Sequence, residues 1–229
     1  MEFHSFALAA STADLRPVQE MPAVREHADI VEFRLDLATD PLEALDDYDG
    51  DLPVLVTNRA DWEGGEAADE GRLATLESAF DHDAVVAVDL ELAALGPHGP
   101  NVPSAVDLRS AARERGLTVV TSVHDFQKTP PMANLQSLLS AACEAGDVGK
   151  LAVTATDHSD SLALLSVTHE ATTAGHRVAT MAMGEPGRHT RAVAPVYGSK
   201  IGYAPPRAES ATAPGQYDLQ TLAKLVRQL

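Results

Sequence analysis

Residues 30–37 read Ile30-Val31-Glu32-Phe33-Arg34-Leu35-Asp36-Leu37. Strict alternation places Glu32, Arg34 and Asp36 on one face of a strand and Phe33, Leu35 and Leu37 on the other. The apolar face must pack on helices, so the three charges point into whatever the strand helps to enclose. Unpaired, each would carry a large desolvation cost. They therefore either pair among themselves as a structural network or face a polar ligand.

Working outward, similar β-branched or small apolar runs occur at 3–9, 53–59, 84–92, 118–126, 150–156, 178–183 and 201–204. Their starts lie about 23 to 34 residues apart, the length of a strand–helix unit. Helical patterns fall between them at 41–48, 71–80, 104–115, 134–145, 159–174 and 218–229, with a weak one at 13–27, interrupted by Pro17 and Pro22, and a short one at 187–194. Asp40 before Pro41 reads as an N-cap with proline in the first turn, and Ser104 reads as a second N-cap. Gly116 and Gly175 read as helix-ending glycines. Eight alternations predict one compact (β/α)8 TIM barrel forming a single domain over 1–229. An open doubly wound sheet is the competitor, but neither GxGxxG nor GxxxxGK[ST] is present.

The bulk numbers exclude other classes. The chain carries 17 Lys and Arg against 34 Asp and Glu, a net charge of −17. Such a charge repels phosphate backbones and anionic lipid, and no Lys/Arg run offsets it, so neither nucleic acid nor membrane is an expected partner. A lone cysteine, Cys143, fits a reducing compartment. The N-terminus shows no secretory pattern and no run reaches the span of a bilayer, so a cytoplasmic protein is expected. The acidity suits either an ordinary solvated surface or adaptation to high salt; scarce lysine with retained arginine favours the second.

Candidate chemistry lies near the C-terminal ends of the strands, where barrels place their sites. Arg59 ends the third run, and Glu63-Gly64-Gly65 follow in a loop that the glycines let turn sharply; a surface ion pair would read the same. His124 ends the fifth run, as a general acid/base or a hydrogen-bonded structural histidine. Lys150 begins the sixth run, with small Ala152 beside it in the alternation. It is either a nucleophilic amine facing the bore or a side chain snorkelling to solvent. Met181 and Met183 are core filler or a pocket wall. Arg188 and Arg191 lie near a helix start, and the segment Thr212-Ala213-Pro214-Gly215-Gln216 either covers the barrel mouth or merely connects. No metal site stands out.

In order, Glu32-Phe33-Arg34-Leu35-Asp36, Arg59 with Glu63-Gly64-Gly65, His124-Asp125-Phe126, Lys150, Met183-Gly184 with Arg191, Tyr197-Gly198-Ser199 and Ala213-Pro214-Gly215-Gln216 resemble the type I 3-dehydroquinate dehydratase family along the whole chain. The resemblance implies a lyase of the shikimate pathway acting on an anionic cyclic polyol ketone with no cofactor and no metal. Lys150 then matches the imine-forming lysine, His124 the acid/base and Glu63 its orienting carboxylate. Glu32, Arg34 and Arg59 match residues around the substrate hydroxyls and the lysine, Arg191 the carboxylate-binding arginine and Gln216 a lid residue, with Met183 at the wall. Thr212 stands where serine is common and Tyr203 where phenylalanine is usual. A homodimer is also implied. A class I aldolase-like imine enzyme and a non-catalytic acidic scaffold are the competing readings.

Overall fold

The structure, a computed structural model, describes residues 1–18, 20–96, 102–210 and 215–229. Its elements run β1 (Ala7–Thr12), α1 (Leu15–Val18), α2 (Pro22–His27), β2 (Ile30–Arg34), α3 (Pro41–Asp46), β3 (Val54–Thr57), α4 (Asp69–Ser78), β4 (Val85–Glu91) and α5 (Leu92–Leu95). Then follow α6 (Val102–Glu114), β5 (Thr118–Asp125), α7 (Met132–Ala145), β6 (Val148–Thr154), α8 (His158–Thr173), β7 (Val178–Met183), α9 (Thr190–Val193), β8 (Ile201–Ala204) and α10 (Leu219–Arg227). The eight strands form one parallel sheet in the order β7-β6-β5-β4-β3-β2-β1-β8. The seam between β7 and β8 is drawn together by the residues just before β8: the Lys200 N–H donates to the Val178 carbonyl at 2.6 Å, and the Thr180 N–H donates to Ser199 Oγ at 3.0 Å. The sheet thus curls into the expected TIM barrel.

Alternation along the strands divides the core into two. Val31, Phe33, Val54, Val56, Val88, Leu90 and Val119 point outward and pack under helices α1 to α6 and α10. Leu151, Val153, Val178 and Ala182 do the same under α7 and α8. Facing them across the sheet, Ile30, Leu55, Ala87, Val120, Val148, Ala179 and Ile201 fill the lower bore, and Phe3 joins them from below β1. Each of the wholly buried aliphatic side chains contributes about 2 kcal/mol relative to exposure. The C-terminal helix α10 docks through Leu219 and Leu222, and its first turn is capped by Asp218, whose carboxylate accepts the Thr221 N–H at 2.9 Å.

Several expectations shift by a few residues, each for a local reason. Strand β1 occupies Ala7–Thr12 rather than 3–9, because the small residues Ala7 and Ala9 meet the crowded bore while Phe3 plugs its floor. Strand β2 stops at Arg34, so Asp36 lies in a 3-10 turn instead of on the inward face. The 13–27 stretch breaks into α1 and α2, with Pro22 in the first turn of the latter. Helix α6 starts at Val102, so Ser104 is inside it and does not cap it; Pro103 sits in the first turn, where a missing N–H costs nothing. Asp40 holds the cap position of α3 without a side-chain capping bond. Gly116 and Gly175 adopt the left-handed conformation expected of them, at φ 74° and 91°.

Candidate active site

The C-terminal ends of the strands enclose a mouth pocket of about 580 Å3, open solvent included. Its wall contains Glu32, Arg34, Arg59, Glu63, His124 and Lys150, and also Met183, Arg191, Tyr203 and Gln216. Residues from six strands or the loops behind them are therefore brought to one place. Of the site residues read from the sequence, only Thr212 lies outside the described residues.

Lys150 is the centre of the site. Because β6 begins at Val148, Lys150 sits inside the strand, not at its start, and shares the inward face with Val148 and Ala152. It is 5% exposed, so it does not snorkel to solvent. Its Nζ donates to Asp89 Oδ2 at 2.9 Å, lies 3.8 Å from Glu32 Oε1, and stands 4.2 Å from the centroid of the Tyr203 ring. Glu32 also accepts from Ser11 Oγ at 2.5 Å and Thr57 Oγ1 at 3.2 Å, which fixes its carboxylate.

Asp89 and Glu91 on β4 were not singled out from the sequence, although they organise the bore. Asp89 accepts from Arg59 Nη2 at 2.8 Å and Ser122 Oγ at 2.6 Å through one oxygen and from Lys150 through the other. Glu91 accepts from Arg59 Nη1 at 3.0 Å and Arg72 Nη1 at 2.9 Å. Burial pushes the Asp89 carboxyl up, but the Arg59 and Lys150 cations outweigh it and hold the group well below the usual carboxylate range. The signal was present: Ala87, Asp89 and Glu91 alternate on β4 as Glu32 and Arg34 do on β2.

His124 and Glu63 form a second unit. One Glu63 oxygen lies 2.9 Å from His124 Nδ1 and accepts the His124 backbone N–H at 3.1 Å. Burial drives the Glu63 carboxyl up to about 8, against the pull of Arg59 and with a further push from Glu91 and Asp89. Burial, Arg59 and Lys150 hold the His124 imidazole well below its ordinary range. The loop that presents Glu63 depends on its glycines. Gly64 has φ 80° and lies under the Phe126 ring, and a Cβ on Gly65 would stand 2.0 Å from the Arg59 carbonyl oxygen. The Phe126 ring stacks on the imidazole at a centroid distance of 5.8 Å.

The remaining cations meet different fates. Arg34 is chelated by Asp36, at 2.8 Å from Nε and 2.5 Å from Nη2, and Arg59 is neutralised by Asp89 and Glu91. The mouth is thus less positive than three arginines suggest. Burial lowers the Arg191 guanidinium to about 10, with Tyr217 acting the other way. The Tyr203 hydroxyl is buried with no hydrogen-bond partner among the described residues. No group of three or more His, Cys, Asp or Glu side chains among the described residues could hold a metal ion.

The chain as a whole is similar to known proteins. The family model for type I 3-dehydroquinase aligns with residues 8–229. The chain belongs to the type I 3-dehydroquinase family. It is 57% identical over 230 residues to the 3-dehydroquinate dehydratase of Haloarcula marismortui, covering 100% of this chain and 98% of that one. The 3-dehydroquinate dehydratase of Halobacterium salinarum is 54% identical, with 100% of both chains covered. Among solved structures, the 3-dehydroquinate dehydratase of Geobacillus kaustophilus superposes with a TM-score of 0.84 at 28% identity, over 99% of this chain and 91% of that one. Membership in a type I 3-dehydroquinase family of enzymes removes the reading as a non-catalytic scaffold.

Proposed function

We infer that the protein converts 3-dehydroquinate to 3-dehydroshikimate, a dehydration in the shikimate pathway, through an imine on Lys150. The observation that carries this reading is the convergence of Lys150 and the His124–Glu63 unit in one mouth pocket. Residues 1–229 act as one catalytic domain. The Lys150 amine adds to the C3 carbonyl, and water leaves to give an iminium. His124, oriented at Nδ1 by Glu63, takes the C2 proton at its other ring nitrogen. The electron pair of that C–H bond moves into the iminium, which becomes an enamine. The enamine then expels the C1 hydroxyl, which takes a proton from the imidazolium and departs as water. Hydrolysis of the resulting imine frees the product and restores the amine, so one water is lost overall.

The remaining side chains support these steps. Asp89 and Glu32 flank the amine and stabilise the cationic imine that replaces the ammonium. Arg59, held by Asp89 and Glu91, positions those carboxylates and contributes to the lysine's charge environment. Arg34 and Glu32 border the space for the substrate hydroxyls. Arg191 receives the substrate carboxylate: burial penalises this guanidinium, and a bidentate anion offsets the penalty. Gln216, Met183 and Tyr203 complete the wall. The cytoplasm suits a biosynthetic step of this kind, and two copies of the chain form the working dimer.

Borohydride added with 3-dehydroquinate should reduce the imine and shift the mass of the peptide bearing Lys150. Absence of that adduct, or full turnover by Lys150→Ala, ends this reading. His124→Ala should lose turnover by about 1,000-fold or more while still trapping the adduct; unimpaired turnover contradicts its role. Offering a class I aldolase substrate beside 3-dehydroquinate separates the two imine chemistries.

A further inference from the structure

The loop after β7 and the segment after β8 carry Arg191 and Gln216 to the same pocket, and they touch each other outside it. Gly184 and Gly215 meet backbone to backbone. Both have positive φ, at 80° and 75°, and a Cβ on Gly215 would stand 3.0 Å from the Gly184 carbonyl oxygen. Two residues on, the Tyr217 ring receives the Arg188 guanidinium, whose central carbon lies 4.1 Å from the ring centroid. The Arg188 Nε is buried with no hydrogen-bond partner among the described residues, so the ring face is the interaction this guanidinium is given there. Arg188 lies three residues before Arg191, one turn away, in the segment leading into α9. Gln216 is thus held on both sides, by a glycine contact before it and a cation–π contact after it.

We propose that Arg188 and Tyr217 form a clasp that positions Gln216 and Arg191 toward each other for substrate binding. Neither clasp residue lines the pocket, so they act through the residues they hold. The clasp contributes to capture of substrate and not to the chemical steps at Lys150 and His124. It rests on the dehydratase reading and refines it.

The test uses the intact enzyme in molar salt with 3-dehydroquinate. The variants are Tyr217→Leu, Tyr217→Phe, Arg188→Met, Arg188→Lys and the double variant Arg188→Met/Tyr217→Leu, with Lys150→Ala as control. Tyr217→Leu and Arg188→Met should each raise KM about 3- to 10-fold, the range a cation–π pair supplies, with kcat within about two-fold. Tyr217→Phe keeps the ring and Arg188→Lys keeps the charge, so both should recover most of the parental KM. The double variant should be no worse than the poorer single one. Parental KM in Tyr217→Leu and Arg188→Met overturns the clasp. So does a Tyr217→Phe loss equal to that of Tyr217→Leu, or simple additivity in the double variant. If the parent does not turn over 3-dehydroquinate, the dehydratase reading falls and takes the clasp with it; turnover by Lys150→Ala overturns the imine on Lys150 alone. If the parent is active and the clasp variants match it, only the clasp falls.

Discussion

Replacing Asp89 by asparagine probes the part of the site that no inspection of the charged β2 strand reveals. Asparagine keeps the shape of the side chain but has one oxygen, whereas Asp89 uses both of its oxygens. With that oxygen toward Arg59 Nη2 and Ser122 Oγ, the amide NH2 points at Lys150 Nζ, donor against donor across 2.9 Å. At an effective dielectric of 20, each of the two lost attractions amounts to about 6 kcal/mol before desolvation. Part of that is offset because the carboxylate no longer has to be buried. Removing one partner from a buried ionic network costs about 3–5 kcal/mol in practice. With 229 residues and an unfolding entropy of about 2.1 cal/mol/K per residue, the melting temperature should fall by roughly 6–10 °C. Thermal unfolding followed by far-UV circular dichroism in molar salt measures this. The sign with pH follows from the depressed Asp89 carboxyl: its contribution is present above the ordinary carboxylate range and fades as acid protonates it. The gap between parent and variant is therefore full near neutrality and narrows below about pH 4. A loss under about 1 kcal/mol, or about 2 °C, would show that water screens the bore and that Asp89 is not holding the two cations.

The raised Glu63 carboxyl makes turnover pH-dependent. Below about 8 it carries a proton and orients the imidazole without its charge, so kcat/KM should rise as pH climbs through that region, and Glu63→Gln should flatten this limb; an unchanged profile in the variant refutes the assignment. Tyr203→Phe removes a buried hydroxyl that has no partner among the described residues. If substrate uses it, KM rises about 3- to 10-fold, whereas equal KM and a more stable protein show that it was only a buried cost. With a net charge of −17, the urea midpoint should climb between low and molar salt as surface repulsion is screened; full stability in dilute buffer would count against adaptation to salt.

The amino-acid sequence alone determined the strand count, the barrel and nearly all of the mouth residues, because period-two alternation and charged residues inside apolar runs are local properties. Glu32, Arg34, His124 and Lys150 announce themselves in this way. It also determined where helices end at Gly116 and Gly175. Spacing alone could not say which charge meets which. Asp36 read as an inward strand residue but chelates Arg34 from a turn, since the strand ends where the chain must bend toward α3. Lys150 read as a strand start, yet its burial and its bond to Asp89 come from a residue 61 positions away. Asp89 and Glu91 stood in an apolar run whose neighbours masked their alternation, and Arg59, Arg72 and Lys150 give them their meaning only when β3, α4 and β6 pack around them. Curling the sheet decided these partners: a parallel barrel brings distant strands to one axis, and in that confined, water-poor bore each charge must find its opposite.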